Sequence, residues 1–135
     1  MTDFLPLPAA LISASEHGAW RTPENRDDWL ALFPDKEIMQ PTLYPLIGMA
    51  SASAEPARLG ENYLGVAGEG VSPGDIDPAL AVLIGDLGPD RLLALDYRKS
   101  ITRPSVIGLT SSRHAKWQYV AADIEEFMRA IKLMD

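Results

Sequence analysis

One stretch of the sequence decides the fold, because a turn in it is followed at once by a short apolar run. The stretch reads Ile84-Gly85-Asp86-Leu87-Gly88-Pro89-Asp90, followed by Arg91-Leu92-Leu93-Ala94-Leu95-Asp96-Tyr97-Arg98. Gly85 and Gly88 permit positive φ, and Pro89 presets φ for a type I or type II turn, so we expect a turn in the first half. The second half is too short for a helix and is bounded by turn signals. We therefore predict a buried strand over residues 91–97.

The segments around this stretch predict an antiparallel sheet. We predict further strands at residues 81–84, 105–109 and 116–121, and polar loops of modest length join those in the C-terminal half. Such loops suit antiparallel neighbours, since a parallel crossover needs a dozen or more residues. From about Asp123 the apolar residues recur at helical spacing, and Asp123 and Glu126 have the spacing of a capping box. We expect this last segment to be a helix that packs on the sheet.

The N-terminal part of the chain favours two helices. The first is expected over residues 9–16, with Pro8 in its first turn and Gly18 as its stop. The second begins with Thr22 as N-cap and ends at Pro34. The pattern from residue 41 to residue 74 is weaker, and its glycines indicate loops. The chain's 135 residues suit one domain. The predicted fold is therefore a single α+β domain over residues 1–135, mainly an antiparallel sheet with N-terminal helices and a C-terminal helix.

Composition and charge restrict the partners. Without cysteine, the chain has neither disulfides nor thiolate metal sites. It has no signal-peptide pattern and no apolar run near the ~20 residues of a membrane helix, so we expect a cytoplasmic protein that does not contact membranes. The net charge is −7, and the first 90 residues carry 14 acidic and four basic residues. An acidic surface repels phosphate backbones, which disfavours nucleic acid as a partner and favours a basic protein.

No pattern in the sequence supports catalysis or a metal site. Asp86, Asp90 and Asp96 are close in sequence, but their spacing is not that of a calcium loop, and turn capping explains the first two. Nucleotide-binding glycine motifs and a nucleophile elbow are absent. His17 and His114 are nearly a hundred residues apart. We therefore predict a protein that is not an enzyme and uses no cofactor or metal.

The order and spacing of several short motifs resemble the SUKH superfamily. The motifs are Gly-Asp-Leu-Gly-Pro-Asp at residues 85–90, Leu-Asp-Tyr-Arg at 95–98, Pro-Ser-Val-Ile at 104–107, Trp117, Val120-Ala121 and the helix from Asp123. The resemblance covers the last third to half of the chain. It implies a bacterial, non-enzymatic domain of the kind whose members act as immunity proteins, which bind and neutralise toxins.

Two hypotheses about function follow. The first is a protein-binding domain that neutralises a cognate toxin or binds another protein. The alternative is a regulatory domain that binds a small ligand in a groove between the glycine-rich segment and the sheet. For the first, we expect Asp86, Asp90 and Asp96 to cluster with Tyr97 beside the turn that Gly85, Gly88 and Pro89 fix. We expect Tyr97 to stand at a groove edge, where aromatic residues often anchor interfaces. A competing basic surface carries Arg98 and Arg103. These are the predicted partner-binding residues: Asp86, Asp90, Asp96, Tyr97, Arg98 and Arg103.

Overall fold

The fold is α+β and is built on an antiparallel sheet, as the sequence predicts. A computed structural model of the chain describes residues 5–23, 27, 29, 41–51, 80–86, 92–109 and 117–134. In chain order the elements are α1 (Ala9–Glu16), β1 (Thr42–Leu43), a 3-10 turn (Leu46–Gly48), β2 (Ala50–Ser51), β3 (Ala81–Asp86), β4 (Leu92–Asp96), β5 (Ser105–Leu109), β6 (Trp117–Ala121) and α2 (Ile124–Ala130). The predictions for residues 52–79 lie outside the described residues.

The strands pair in the order β1-β3-β4-β5-β6, and every pair is antiparallel. The short strand β2 pairs with β3 as well, so two short strands share the outer edge of β3. Thr42 pairs with Asp86, whereas Ala50 pairs with Leu83. The chain between them makes the 3-10 turn that follows Pro45. Proline lacks an N–H and cannot donate to a strand ladder, which explains the interruption.

Both faces of the sheet are buried, which explains why its central strands are continuous apolar runs instead of alternating ones. One face carries the helix-side cluster, to which the strands contribute Leu43, Val82, Ile84, Leu93, Leu95, Val106 and Ala121, and to which Tyr97, directly after β4, also belongs. The other carries the second-face cluster of Ala81, Leu83, Leu92, Ala94, Ile107, Leu109 and Trp117. Successive side chains in a strand point to opposite faces, so β4 supplies both clusters. Every residue of β3 except Asp86, and all of β4, is buried.

Gly85 and Asp86 are part of β3, so the predicted turn is wrong at these two residues. Residues 87–90 of the predicted turn lie outside the described residues. The backbone φ of Gly85 is not positive, since Gly18 is the only glycine with positive φ among the described residues. Gly85 matters here because it has no side chain: a Cβ atom at this position would lie 2.5 Å from the Thr42 carbonyl oxygen, which is too close. The register of β3 against β4 also shifts between Leu83 and Gly85, as in a β-bulge. The glycine lets β1 approach β3 closely.

Helix α1 begins and ends where its sequence predicts. Pro8 is its N-cap, and Gly18 follows the helix with φ of 72°. The N–H of Ala19 donates to the Ala14 carbonyl over 2.8 Å, and the N–H of Gly18 donates to the Ser15 carbonyl over 3.2 Å. These two bonds form a Schellman motif, in which glycine adopts the left-handed conformation without a steric penalty.

Helix α2 is capped by Asp123, whose carboxylate accepts a 2.8 Å hydrogen bond from the Glu126 N–H. The Glu126 carboxylate returns to the N–H of Ala122, one residue before the position expected in a capping box. Its buried residues Ile124, Phe127 and Met128 belong to the helix-side cluster. The i, i+3, i+4 spacing puts these three on one face of the helix.

Two tryptophans from the N-terminal part of the chain contact Phe127 of α2. The ring centroids of Trp20 and Phe127 are 6.4 Å apart, and those of Trp29 and Phe127 are 6.1 Å apart with an edge-on geometry. Of the second predicted helix, Asp27 and Trp29 are described, and both are helical. Thr22, the expected N-cap, accepts a 2.9 Å hydrogen bond from the Leu43 N–H. Its hydroxyl thus connects the start of that segment to β1.

Candidate functional site

Asp86 ends β3 and is held by a tyrosine that the sequence patterns do not single out. The Tyr44 hydroxyl donates a 2.9 Å hydrogen bond to the Asp86 carboxylate. Tyr44 is fixed in turn: its N–H donates to the Ile84 carbonyl over 2.9 Å, and its carbonyl accepts from the Trp20 indole over 2.8 Å. Asp86 is half-buried. Its carboxylate is therefore oriented in advance of any contact with a partner.

Asp96 is buried and paired, with 5 % of its surface exposed. The Arg98 guanidinium donates to both carboxylate oxygens, at 2.9 Å from Nε to Oδ1 and 3.0 Å from Nη2 to Oδ2. The backbone N–H of Arg98 adds a third bond, of 3.1 Å. The two hydrogen bonds from the guanidinium replace hydrogen bonds to water that the carboxylate loses when it is buried. Asp96 is thus a structural residue, and Arg98 is the partly exposed member of the pair.

Tyr97 lies in the core, so the prediction that it stands at a groove edge is wrong. Its side chain is 1 % exposed and belongs to the helix-side cluster. The hydroxyl donates a 2.7 Å hydrogen bond to the Pro6 carbonyl, and the backbone N–H donates to the Leu80 carbonyl over 2.8 Å. Burial raises the pKa of Tyr97 to about 12. Odd-numbered residues of β4 face the helices, and Tyr97 continues that alternation.

The three predicted aspartates do not form one cluster. Asp86 pairs with Leu92 at one end of the β3–β4 ladder, while Asp96 pairs with Ala81 at the other end. Five residue steps along a strand separate them by roughly 16 Å. Closeness in sequence misleads here because the chain reverses between the two residues. Asp90 lies outside the described residues.

Arg103 is exposed and forms an ion pair with Asp123, the N-cap of α2. The hydrogen bond from the Arg103 guanidinium lowers the pKa of Asp123, and the bond from the Glu126 N–H lowers it further. The Ser100 hydroxyl accepts a 2.9 Å hydrogen bond from the Arg103 N–H and shapes the loop between β4 and β5. Arg103 therefore connects this loop to α2, while 76 % of its side chain stays open to solvent.

A small pocket of about 170 Å³ lies beside this ion pair. It is bounded by the start of α1, the loop between β4 and β5, and the start of α2; its lining includes Pro8, Thr102, Arg103, Pro104 and Glu125. It is smaller than the roughly 300 Å³ at which pockets for drug-sized ligands begin. The groove proposed from the sequence lies beside the glycine-rich segment, which is outside the described residues.

Other features bear on the class of function. Within the ranges that the structure describes, no group of three or more histidine, cysteine, aspartate and glutamate side chains is placed to hold a metal ion. None of the described helices is long and apolar enough to cross a membrane. Comparison of the chain with protein-family models, curated proteins and solved structures gave no match.

Proposed function

We propose that this chain is a non-enzymatic bacterial domain that binds a cognate toxin and neutralises it by covering the toxin's active site. The observation that carries the proposal is that Asp96, Tyr97 and Arg98 stabilise the fold. All three residues of this motif are engaged in contacts within the chain, namely the Asp96–Arg98 pair and the Tyr97–Pro6 hydrogen bond. Because these residues stabilise the fold, we expect exposed residues to make most of the contacts with a partner, as in a binding domain.

Asp86 is the described acidic residue best prepared to contact a basic partner. Its carboxylate is half-buried and oriented by Tyr44, so little side-chain entropy is lost on binding. A toxin that cleaves nucleic acid needs a basic cleft to hold phosphate, and the acidic first two-thirds of the chain complements such a cleft. Partner contact through Asp86, Asp90, Arg98 and Arg103 stays a prediction. Asp96 and Tyr97 contribute by supporting the fold, since both are buried.

The test is neutralisation in cells. Candidate toxins, taken from the genes that neighbour this chain's own gene, are each expressed alone and together with the chain in the bacterial cytoplasm. The proposal predicts that co-expression restores growth and that the two proteins elute as one complex. Continued toxicity, with both proteins folded and eluting separately, would refute it.

Two charge variants locate the contact surface. Asp86→Asn keeps the shape of the side chain and an oxygen that accepts from Tyr44, but it removes the charge. Arg103→Gln removes a charge from the competing basic surface. We expect Asp86→Asn to slow association and to weaken its salt dependence, because long-range attraction acts mainly on the association rate. The reverse pattern would move the contact to the loop that carries Arg103.

The alternative function is binding of a small ligand, and the pocket beside Arg103 is the observation in its favour. A ligand at about 100 times its dissociation constant stabilises the folded state by about 2.7 kcal/mol. A thermal-shift screen of metabolites would detect that change. A clear shift, with Arg103→Gln abolishing it, would support this alternative over toxin binding.

A further inference from the structure

The turn between β1 and β2 presents a large aliphatic side chain to solvent. Ile47 lies in the middle of the 3-10 turn Leu46–Gly48 and is 96 % exposed. The other large hydrophobic side chains that are exposed among the described residues are between 37 % and 57 % exposed: Ile12, Ile101, Tyr119 and Met134. Single exposed apolar residues are common on protein surfaces, so exposure alone assigns no role to Ile47. The fixed geometry of its turn and its position beside Asp86 distinguish it.

Hydrogen bonds fix the backbone of this turn. The Gly48 N–H donates to the Pro45 carbonyl over 2.8 Å, and the Met49 N–H donates to the Leu46 carbonyl over 3.1 Å. Tyr44, just before the turn, is bonded to β3 through its N–H and to the indole of a tryptophan through its carbonyl. Proline restricts φ at the next position. The turn therefore has a defined conformation before any partner binds.

Apolar packing determines which side chain of the turn faces outward. Leu46 and Met49 are partly buried and pack against the helix-side cluster. The turn is therefore held against the domain by the residues on either side of Ile47 and Gly48, while Ile47 itself projects into solvent. Isoleucine is branched at Cβ, which restricts its χ1 angle. Little conformational entropy is lost when a partner covers such a side chain.

The turn lies on the same edge of the sheet as Asp86, the residue to which the proposed function assigns contact with a basic partner. Thr42 pairs with Asp86, and the Tyr44 N–H donates to the Ile84 carbonyl. Ile84 and Asp86 are two residue steps apart on β3, which is about 7 Å. The Tyr44 hydroxyl also donates to the Asp86 carboxylate, so one residue connects the turn and the acid. A contact of standard size covers about 800 Å² on each partner and is wide enough to include both.

We propose that Ile47 is the hydrophobic anchor of the surface around Asp86 and inserts into an apolar pocket of a basic protein partner. This inference rests on the proposed function, because the partner is the toxin that the chain neutralises. A few side chains that fill pockets supply most of the binding energy at interfaces, and polar residues surround them. Asp86 attracts the basic partner, and Ile47 prolongs the complex once it has formed. The partner carries an apolar pocket beside lysine or arginine.

Binding kinetics with a neutralised toxin test this inference. The probe is the candidate toxin whose toxicity the chain suppresses on co-expression, purified and attached to a sensor surface, with the full chain in solution. Ile47→Ser removes the apolar side chain from an exposed position and should leave the thermal stability nearly unchanged. Ile101→Ser is the matched control, because Ile101 is also an exposed isoleucine and lies in the loop of the competing basic surface.

We expect Ile47→Ser to raise the dissociation rate at least about tenfold with little change in the association rate, because packing acts after the two proteins have met. Asp86→Asn should show the opposite pattern. Ile47→Val is one methylene smaller and should raise the dissociation rate about fourfold. It gives the same reading should serine disturb the turn. Ile101→Ser should change neither rate.

Three outcomes would overturn the inference, and they separate it from the proposed function. If both Ile47 variants dissociate from a neutralised toxin at the rate of the unchanged chain, the inference fails and the proposed function stands. A larger effect of Ile101→Ser than of Ile47→Ser places the contact at the loop between β4 and β5, with the same consequence. If the chain neutralises none of the candidate toxins, the proposed function and this inference fail together.

Discussion

The Tyr97 hydroxyl donates a 2.7 Å hydrogen bond to the Pro6 carbonyl, joining two residues that are 91 positions apart in the chain. Leu5 and Leu7, on either side of Pro6, pack against the helix-side cluster. Tyr97 itself follows β4 and is buried in that cluster. The bond therefore fixes the N-terminal segment to the centre of the sheet. It also gives the tyrosine of the Leu-Asp-Tyr-Arg motif a defined structural role.

Removing this hydroxyl should loosen the N-terminal segment. We expect Tyr97→Phe to lower the free energy of unfolding by about 1 kcal/mol, the typical net value of one hydrogen bond. In urea unfolding the midpoint should fall with little change in slope. Hydrogen exchange of Leu5 and Leu7 should also accelerate. Tyr119→Phe alters an exposed tyrosine and serves as the control; equal effects of the two substitutions would contradict the role of Tyr97.

Alkaline pH should destabilise the fold through Tyr97. The pKa is about 12 in the folded chain, against an ordinary value of 10.0. A group whose pKa is raised on folding contributes stability below its unfolded pKa and loses that contribution as pH rises through the folded pKa. The free energy of unfolding should therefore fall between pH 10 and pH 12, and less steeply in Tyr97→Phe. Parallel pH profiles for the two proteins would show that Tyr97 is not the group concerned.

Gly85→Ala should disturb the edge of the sheet. The added methyl group would lie 2.5 Å from the Thr42 carbonyl oxygen. The oxygen belongs to the backbone and the methyl carbon is bonded to the backbone, so a change of side-chain rotamer cannot relieve the clash. Overpacking of this kind costs about 1–3 kcal/mol. Gly48→Ala is the matched control, because its nearest atoms would be 3.6 Å away. Chemical denaturation should separate the two variants, and similar stabilities would disprove the close approach of β1.

Acid should weaken the start of α2. The pKa of Asp123 is lowered, so its charged form stabilises the fold above the ordinary value of 3.8, and this stability is lost as pH falls through the lowered pKa. Asp123→Asn keeps a cap for the Glu126 N–H but has no charge to titrate. Its stability should therefore vary less than that of the unchanged chain between pH 5 and pH 2. Asp123→Ala, which removes the cap, should cost about 1 kcal/mol at neutral pH.

Strands and helix ends follow from the sequence because their causes are local. The run from Leu92 to Leu95 is apolar and is followed by the charged Asp96, and it forms β4 within one residue of its predicted limits. Ser105–Leu109 and the stop of α1 at Gly18 also match their patterns. Alternation, capping and left-handed glycine act over a few residues, and the sequence displays them directly.

The candidate site was harder to predict because its contacts connect distant segments. Nothing near Tyr44 in the sequence indicates its bond to Asp86, which is 42 residues away. The burial of Tyr97 depends on Pro6, in a segment that local patterns treat separately. Asp86 and Asp96 are close in sequence, but the antiparallel pairing of β3 with β4 puts them at opposite ends of that pair of strands.

The most direct test of the proposed function is a titration of the purified toxin's activity with this chain. A domain that neutralises by binding must act stoichiometrically, so residual activity should fall in proportion to added chain and reach zero near one equivalent. Toxin released from the complex in high salt or denaturant should have unchanged mass and recover its activity on refolding. Loss of activity that continues with time at about one-hundredth of an equivalent, or a lasting change in the toxin's mass, would show turnover and contradict the account.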